Sequence, residues 1–90
     1  MAEDGKPGIA EVSREAKRQL AELVGRPVEG VTSVGRTEDG WTLHLEVLEL
    51  KRVPETTDVI GSYMVKVDHD GTVEGHQRVQ RYTRAQTEEV

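Results

Sequence analysis

Residues 48–68, LELKRVPETTDVIGSYMVKVD, decide the fold of this chain. Two runs in this stretch alternate apolar and polar residues, as β-strands do, and a short segment around Pro54 separates them. The stretch therefore predicts a β-hairpin. Apolar residues nevertheless fall on both sides of the alternation. A small domain that buries one face of a sheet has to account for the leucines on the other face as well.

A helix and two further strands complete the prediction. Apolar residues recur at helical spacing over residues 9–24, and Gly25 with Pro27 then ends the helix. Strand-like runs follow at residues 31–37, 41–53, 57–68 and 72–84, with Asp-Gly pairs in two of the connections. Connections of hairpin length make neighbours in sequence neighbours in space. We therefore predict an α+β fold, with one N-terminal helix packed on a four-stranded antiparallel sheet in the meander order 1-2-3-4.

Length, charge and composition narrow the class of protein. We assign a single domain to residues 9–84, between a flexible lead at residues 1–8 and a flexible tail at residues 85–90. The chain contains no cysteine, carries a net charge of -5 and has no apolar run long enough to cross a membrane. These properties predict a soluble cytoplasmic protein and argue against nucleic acid and membranes as partners.

Side-chain parity sets an expected register. If Trp41 and the apolar residues at every second position after it face the helix, the next strand has to match them with its own apolar set. The pairs that satisfy this condition are Val47 with Tyr63, Leu45 with Val65, Leu50 with Ile60 and Arg52 with Asp58. A three-residue loop at residues 69–71, with its glycine in a left-handed conformation, sets the last hairpin. It pairs Val67 with Val73 and Lys66 with Glu74. Several registers fit the first hairpin equally well.

This register leaves an apolar group on the face of the sheet that is turned away from the helix. Because one helix covers only one face, such a group with a charged rim is typical of a protein-binding surface. The expected partner-binding residues are Leu48, Leu50, Arg52, Asp58, Ile60, Met64, Arg78, Tyr82 and Arg84. Two alternatives stand beside this prediction. A β-bulge near Val47 and Leu48 would turn the leucines into the core, and the arginines could instead be solvated residues that pair with nearby carboxylates.

The sequence offers little for catalysis or metal binding. The three histidines, His44, His69 and His76, do not converge in this register. Asp68 and Asp70 lack the other ligands of a calcium loop. No glycine-rich phosphate loop is present, and the hydroxyl residues fall mostly in turns or on exposed strand positions. We therefore expect no catalytic residue, no cofactor, no metal and no enzyme activity.

Residues 41–71, WTLHLEVLELKRVPETTDVIGSYMVKVDHDG, followed by RVQRYTR at residues 78–84, resemble the gas vesicle protein O family. This family consists of accessory proteins encoded with the genes for gas-filled buoyancy organelles. The resemblance covers about half the chain and depends on Glu49, Arg52, Pro54, Asp58, Tyr63, Asp70, Gly71, Arg81, Tyr82 and Arg84. The chain departs from the family pattern at Met64, where an acidic residue commonly follows the tyrosine. A charged contact at that position is therefore not supported.

The resemblance implies a non-enzymatic protein that assists gas vesicle formation, in the cytoplasm and in association with gas vesicles. The implied partners are other gas vesicle accessory proteins and, as a further candidate, the shell protein. The chain is not expected to be the shell itself, because its mean hydropathy of -0.62 is too polar for a surface that borders gas. The fold alone also resembles small PepSY-like and cystatin-like modules that bind peptides or ligands, although a fold does not determine a function. Self-association through the same face is compatible with both interpretations.

Overall fold

The computed structural model describes residues 8–87, with side chains as far as Ala85. Its elements in chain order are α1 (Ile9–Val24), β1 (Val28–Thr37), β2 (Gly40–Leu50), a 3-10 turn (Glu55–Thr57), β3 (Val59–Asp68), β4 (Val73–Thr83) and α2 (Arg84–Thr87). The strands form one antiparallel sheet in the order β1-β2-β3-β4, which confirms the predicted α+β fold. Most of the predicted lead and part of the predicted tail lie outside the described residues. The division into lead, domain and tail stays a prediction.

Helix α1 packs on one face of the sheet, here called the inner face; the opposite face is the outer face. The helix side chains Val12, Ala16 and Leu20 lie four residues apart and are fully buried. The helix ends at Val24 and is capped by Gly25, whose φ of 68° is left-handed and whose amide donates to the Ala21 carbonyl at 2.9 Å. Within residues 8–87, no helix is both long and apolar enough to cross a bilayer.

The core lies between α1 and the inner face of the sheet. Besides the helix residues, it contains Trp41, Leu43, Leu45, Val47, Tyr63, Val65 and Val67. Gln19 fixes the helix against the turn between β3 and β4, because its amide group donates to the Gly71 carbonyl at 3.1 Å and accepts from the Val73 amide at 2.8 Å. The period-two alternation therefore identified the buried face correctly.

Strands β2 and β3 pair two residues away from the predicted register. Leu45 lies opposite Tyr63 and Val47 lies opposite Gly61, so the predicted pairs of these strands are wrong. A displacement of two residues leaves every side chain on the same face. The inner set was predicted correctly although its partners were not.

A β-bulge interrupts the end of this ladder. Leu48 lies opposite Ile60, whereas Leu50 lies opposite Val59, so Glu49 is the extra residue. The predicted pairing of Leu50 with Ile60 is therefore wrong. The bulge also comes later than the alternative bulge considered above, and neither leucine enters the core under the helix.

The hairpin between β3 and β4 is partly as predicted. Val67 lies opposite Val73, but Lys66 lies opposite Gly75 and not Glu74, because a further irregularity separates these two pairs. The extra residue in β4 shifts the alternation of this strand relative to β3.

Candidate functional site at the Pro54 end of the sheet

A buried carboxylate lies on the inner face where β2 ends. Glu49 follows Val47 on this face, and its side chain retains 1% of its accessible surface. The Tyr63 hydroxyl donates to Oε2 of Glu49 at 2.7 Å. Nη1 of Arg78 donates to Oε1 at 3.0 Å, and Nε of Arg81 lies 3.2 Å from the same oxygen. Strands β3 and β4 thus supply three donors to one carboxylate, here called the Glu49 cluster.

The Glu49 carboxylate occupies the space above Gly61. A Cβ atom at Gly61 would lie 2.6 Å from Cδ of Glu49 and 3.0 Å from Cε1 of Tyr63. Both distances are shorter than ordinary van der Waals contact. A residue without a side chain is therefore required at this point of β3 for Glu49 to reach its donors.

The cluster holds its members in one protonation state near neutral pH. Burial alone would raise the pKa of Glu49, but the Tyr63 hydrogen bond and the two arginines outweigh it and hold the pKa below the ordinary value of 4.5. Burial, with the hydrogen bond to Glu49, raises the pKa of Tyr63 above 10.0. Glu49 is consequently ionised and Tyr63 neutral over the physiological range.

A second buried carboxylate closes the connection between β2 and β3, residues 51–58, here called the β2–β3 loop. Asp58 is 2% exposed, and its Oδ1 accepts the backbone amide of Arg52 at 2.7 Å. Its Oδ2 lies 3.2 Å from Nη2 of Arg84, and its carbonyl accepts the Arg84 amide at 2.8 Å. The Arg52 amide is the largest contribution to the lowered pKa of Asp58, and Arg84 adds to it against the effect of burial.

The predicted contact between Arg52 and Asp58 therefore exists in a different form. The two residues meet through the Arg52 amide, and the guanidinium that pairs with Asp58 belongs to Arg84. The expectation that Arg52 and Asp58 pair on the exposed surface is wrong, because the Asp58 carboxylate is buried and holds the loop.

Tyr82 at the end of β4 and Arg84 at the start of α2 lie across the outer face. Tyr82 lies opposite Ile60, and its hydroxyl donates to Glu46 on β2, so the tyrosine ring crosses β3. Nη2 of Arg84 lies 2.6 Å from Oε2 of Glu29 on β1, which links the two edges of the sheet. Ile60 retains 2% of its surface as a result. Burial, with the hydrogen bond to Glu46, raises the pKa of Tyr82 to about 12.

The predicted partner-binding residues differ in exposure. The exposed ones are Leu50, Arg52 and Arg78, the half-buried ones are Leu48, Met64, Tyr82 and Arg84, and the buried ones are Asp58 and Ile60. The exposed placement expected for Asp58 and Ile60 is wrong, because Arg84 and Tyr82 cover them. Arg78 is exposed on the inner face and not the outer one, because the extra residue Glu74 reverses the alternation of β4 ahead of it, and the extra residue Val79 reverses it back ahead of Tyr82. A binding role for the set stays a prediction.

Sequence reasoning missed the Glu49 cluster although a signal was present. The alternation that assigns Val47 to the inner face assigns Glu49 there too. A lone carboxylate at that position requires a cationic partner, and the alternation that puts Tyr82 on the outer face puts its neighbour Arg81 on the inner one. The link from Glu29 to Arg84 had no comparable signal, because it joins residues from opposite edges of the sheet.

The β2–β3 loop is exposed along most of its length. Residues 51–57 are all exposed, and Val53 retains 98% of its surface. The amide and the hydroxyl of Thr57 both donate to the Pro54 carbonyl, at 3.0 and 2.7 Å. The Val53–Pro54 peptide bond is cis. Within residues 8–87, no group of three or more His, Cys, Asp or Glu side chains is placed to hold a metal ion.

The fold and these contacts define a small α+β domain whose buried carboxylates fasten strand ends and a loop to each other. A family model described as "Gas vesicle synthesis protein GvpO" matches residues 1–88 of the chain. The chain belongs to this family, which confirms the resemblance carried by residues 41–84 and extends it to α1 and β1.

Named relatives agree with the family model. The chain is 50% identical over 82 residues to gas vesicle protein O of Streptomyces sp. (strain CB03234), covering 91% of this chain and 64% of that protein. It is 30% identical over 95 residues to gas vesicle protein O1 of Halobacterium salinarum, covering 98% and 80%. It is 31% identical over 87 residues to gas vesicle protein O of Haloferax mediterranei, covering 96% and 62%. The chain thus spans less than two thirds of two of these relatives. No solved structure gives a significant match.

Proposed function

We propose that this chain assists gas vesicle formation as a non-enzymatic accessory protein that binds other gas vesicle proteins. Membership of the gas vesicle synthesis family is the observation that carries the proposal. The proposal places the chain in the cytoplasm, in association with forming gas vesicles. Its partners would be other accessory proteins, with the shell protein as a further candidate.

The chemistry of the buried groups supports a structural role for them. Efficient acid or base catalysis uses a group whose pKa lies near the working pH. The pKa values of Glu49 and Asp58 are instead lowered, and those of Tyr63 and Tyr82 are raised. Each shift moves the group away from neutrality, which favours ion pairs that hold the fold over groups that exchange protons with a substrate.

The accessible part of the predicted surface supports protein contacts. Leu50 is the last residue of β2, Arg52 lies two residues further on in the β2–β3 loop, and both are exposed. Arg78 is also exposed, on the inner face of β4, where it shares one carboxylate with Arg81. Exposed arginine beside apolar surface is favoured at protein interfaces.

Deletion and complementation test the proposal. A host carrying a gas vesicle gene set that includes this chain should lose gas vesicles, seen by electron microscopy and buoyancy, when the gene is removed. Re-expression should restore them. Stepwise lowering of expression then separates the classes: a stoichiometric binding factor should limit gas vesicle yield in proportion, whereas an enzyme should sustain the yield at trace levels. Normal gas vesicles in the deletion strain would refute the proposed role.

A further inference from the structure

We propose that the β2–β3 loop is the docking element of this protein, and that it inserts Val53 into an apolar pocket on an acidic surface of another gas vesicle protein. This inference rests on the proposed function and deepens it by naming the surface and the chemistry of the partner.

The first argument is the exposure of Val53. Among the exposed large apolar side chains of residues 8–87, Val53 has the highest exposed fraction, 98%. Leu50, just before the loop, is 43% exposed. A single exposed valine is ordinary on a protein surface. Here, however, it stands between Arg52 and Pro54 in a segment, residues 51–57, that is exposed throughout, so nearly all of its side chain is open to a partner.

The second argument is how firmly the loop is held. Residues 51–57 add no buried side chain to the core, yet the buried carboxylate of Asp58 binds the Arg52 amide and Arg84. Burying a carboxylate is unfavourable unless it is paired and hydrogen-bonded. In this protein the pairing fixes the shape of a loop that the core does not use. A loop already held in one conformation loses less entropy when a partner binds it.

The third argument is the local charge. Lys51 and Arg52 are exposed beside Val53, and Glu55 is the acidic residue of the exposed segment. In the described part of the chain, the Arg52 guanidinium forms no hydrogen bond or ion pair, since only its backbone amide is engaged. Residues 51–57 therefore carry a net charge of +1, two cations against Glu55, on a chain whose net charge is -5, and the buried Asp58 that follows them is paired with Arg84. An acidic partner surface complements this charge, and an apolar pocket in it complements Val53.

Two loop variants and two matched controls test the inference. Val53→Ser removes the exposed apolar side chain, and Arg52→Glu reverses the charge beside it. Val79→Ser makes the same polar change at another exposed valine, 49% exposed on β4, and Arg14→Glu makes the same reversal on α1. The probes are the accessory and shell proteins of one gas vesicle gene set, each purified and immobilised separately. Circular dichroism and melting should show that all four variants remain folded.

The expected result is a loop-specific loss of affinity for one of these probes. Val53→Ser and Arg52→Glu should each raise Kd by about tenfold or more. The Kd of each control should stay within about twofold of that of the unmodified chain. Raising the salt concentration should weaken probe binding by the unmodified chain more than probe binding by the Arg52→Glu variant. Equal affinities for the loop variants and the unmodified chain would overturn the inference, as would equal losses in the controls.

Other outcomes identify which idea fails. An unmodified chain that binds none of the probes overturns the inference. A dimer in sedimentation equilibrium that Val53→Ser dissociates would make a second copy the occupant, and would overturn the acidic partner. If the unmodified chain and Val53→Ser both restore gas vesicles in the deletion strain to the same level, the docking loop fails and the proposed function stands. If deletion leaves gas vesicles intact, the proposed function itself fails.

Discussion

Removing the charge of Glu49 tests whether the Glu49 cluster holds the end of the sheet together. In Glu49→Gln one carboxylate oxygen is replaced by an NH2 group, which cannot accept a hydrogen bond. Tyr63 is 8% exposed and needs an acceptor, so the remaining oxygen should turn toward its hydroxyl. The side chains of Arg78 and Arg81 are 45% and 54% exposed and can bind water instead. The variant therefore loses only charge-assisted hydrogen bonds that water partly replaces. We expect its free energy of unfolding to fall by about 1–2 kcal/mol.

Glu49→Ala should cost more, because it leaves the buried Tyr63 hydroxyl without its acceptor and opens a cavity. These two terms together predict a loss of about 2–4 kcal/mol. For a domain of this size each kcal/mol lowers the melting temperature by about 4–8 °C. Calorimetry should therefore give the lowest melting temperature for Glu49→Ala, an intermediate one for Glu49→Gln and the highest for the unmodified chain. Glu38→Gln in the exposed turn between β1 and β2 is the matched control and should melt with the unmodified chain.

The pH dependence of the same variants gives a second measurement. The pKa of Glu49 in the folded chain lies below 4.5. Its stabilisation is therefore fully present above the unfolded pKa and is lost as pH falls through the folded value. The stability difference between the unmodified chain and Glu49→Gln should be constant near neutral pH and should shrink in acid. A difference that grows on acidification would contradict the assignment of a lowered pKa.

A double-mutant cycle with Gly61 locates the carboxylate. Gly61→Ala should destabilise the unmodified chain by about 1–3 kcal/mol, since the new methyl group collides with Glu49. In the Glu49→Ala background the methyl group enters vacated space, so its cost should be smaller. Equal costs in both backgrounds would refute the placement of Glu49 above Gly61, and with it the explanation for the glycine.

Three further predictions concern the rest of the molecule. Asp58→Asn should leave the fold intact while hydrogen exchange of the Arg52 amide accelerates, because that amide loses its charged acceptor. Leu45→Lys should unfold the domain, whereas Leu50→Lys, at a position 43% exposed, should melt near the unmodified chain; circular dichroism distinguishes the two. Tyr82 should titrate at about 12, so absorbance at alkaline pH should show ionisation well above the ordinary tyrosine value, and a midpoint near 10.0 would contradict its contact with Glu46.

The fold could be predicted because its signals are local. The helix bounds follow from apolar spacing and from Gly25, and the strand order follows from short connections. The register between β2 and β3 could not be predicted in the same way. Parity repeats every two residues, so two registers that differ by two are equally compatible with the apolar pattern. The space that Glu49 requires above Gly61 distinguishes them, and this is a contact between strands.

The candidate site was less predictable because bulges act on single residues. Extra residues at Glu49 in β2 and at Glu74 and Val79 in β4 change the alternation of these strands, and no apolar pattern announces them. The alternation still placed Leu48 and Ile60 correctly on the outer face. It gave no information on whether another side chain would cover them.

The covering of Ile60 changes what the apolar group on the outer face implies. The apolar group around Ile60 is closed by the ring of Tyr82, and the side chain of Arg84 links the edges of the sheet beside it. Its hydrophobic character is thus satisfied within the chain and does not by itself indicate a partner. A partner that covered Ile60 would first have to displace the contacts of Tyr82 with Glu46 and of Arg84 with Glu29, and the loss of these charge-assisted bonds opposes binding there. Val53 differs because 98% of its surface remains open, so a partner can bury it without breaking any contact that the chain makes itself.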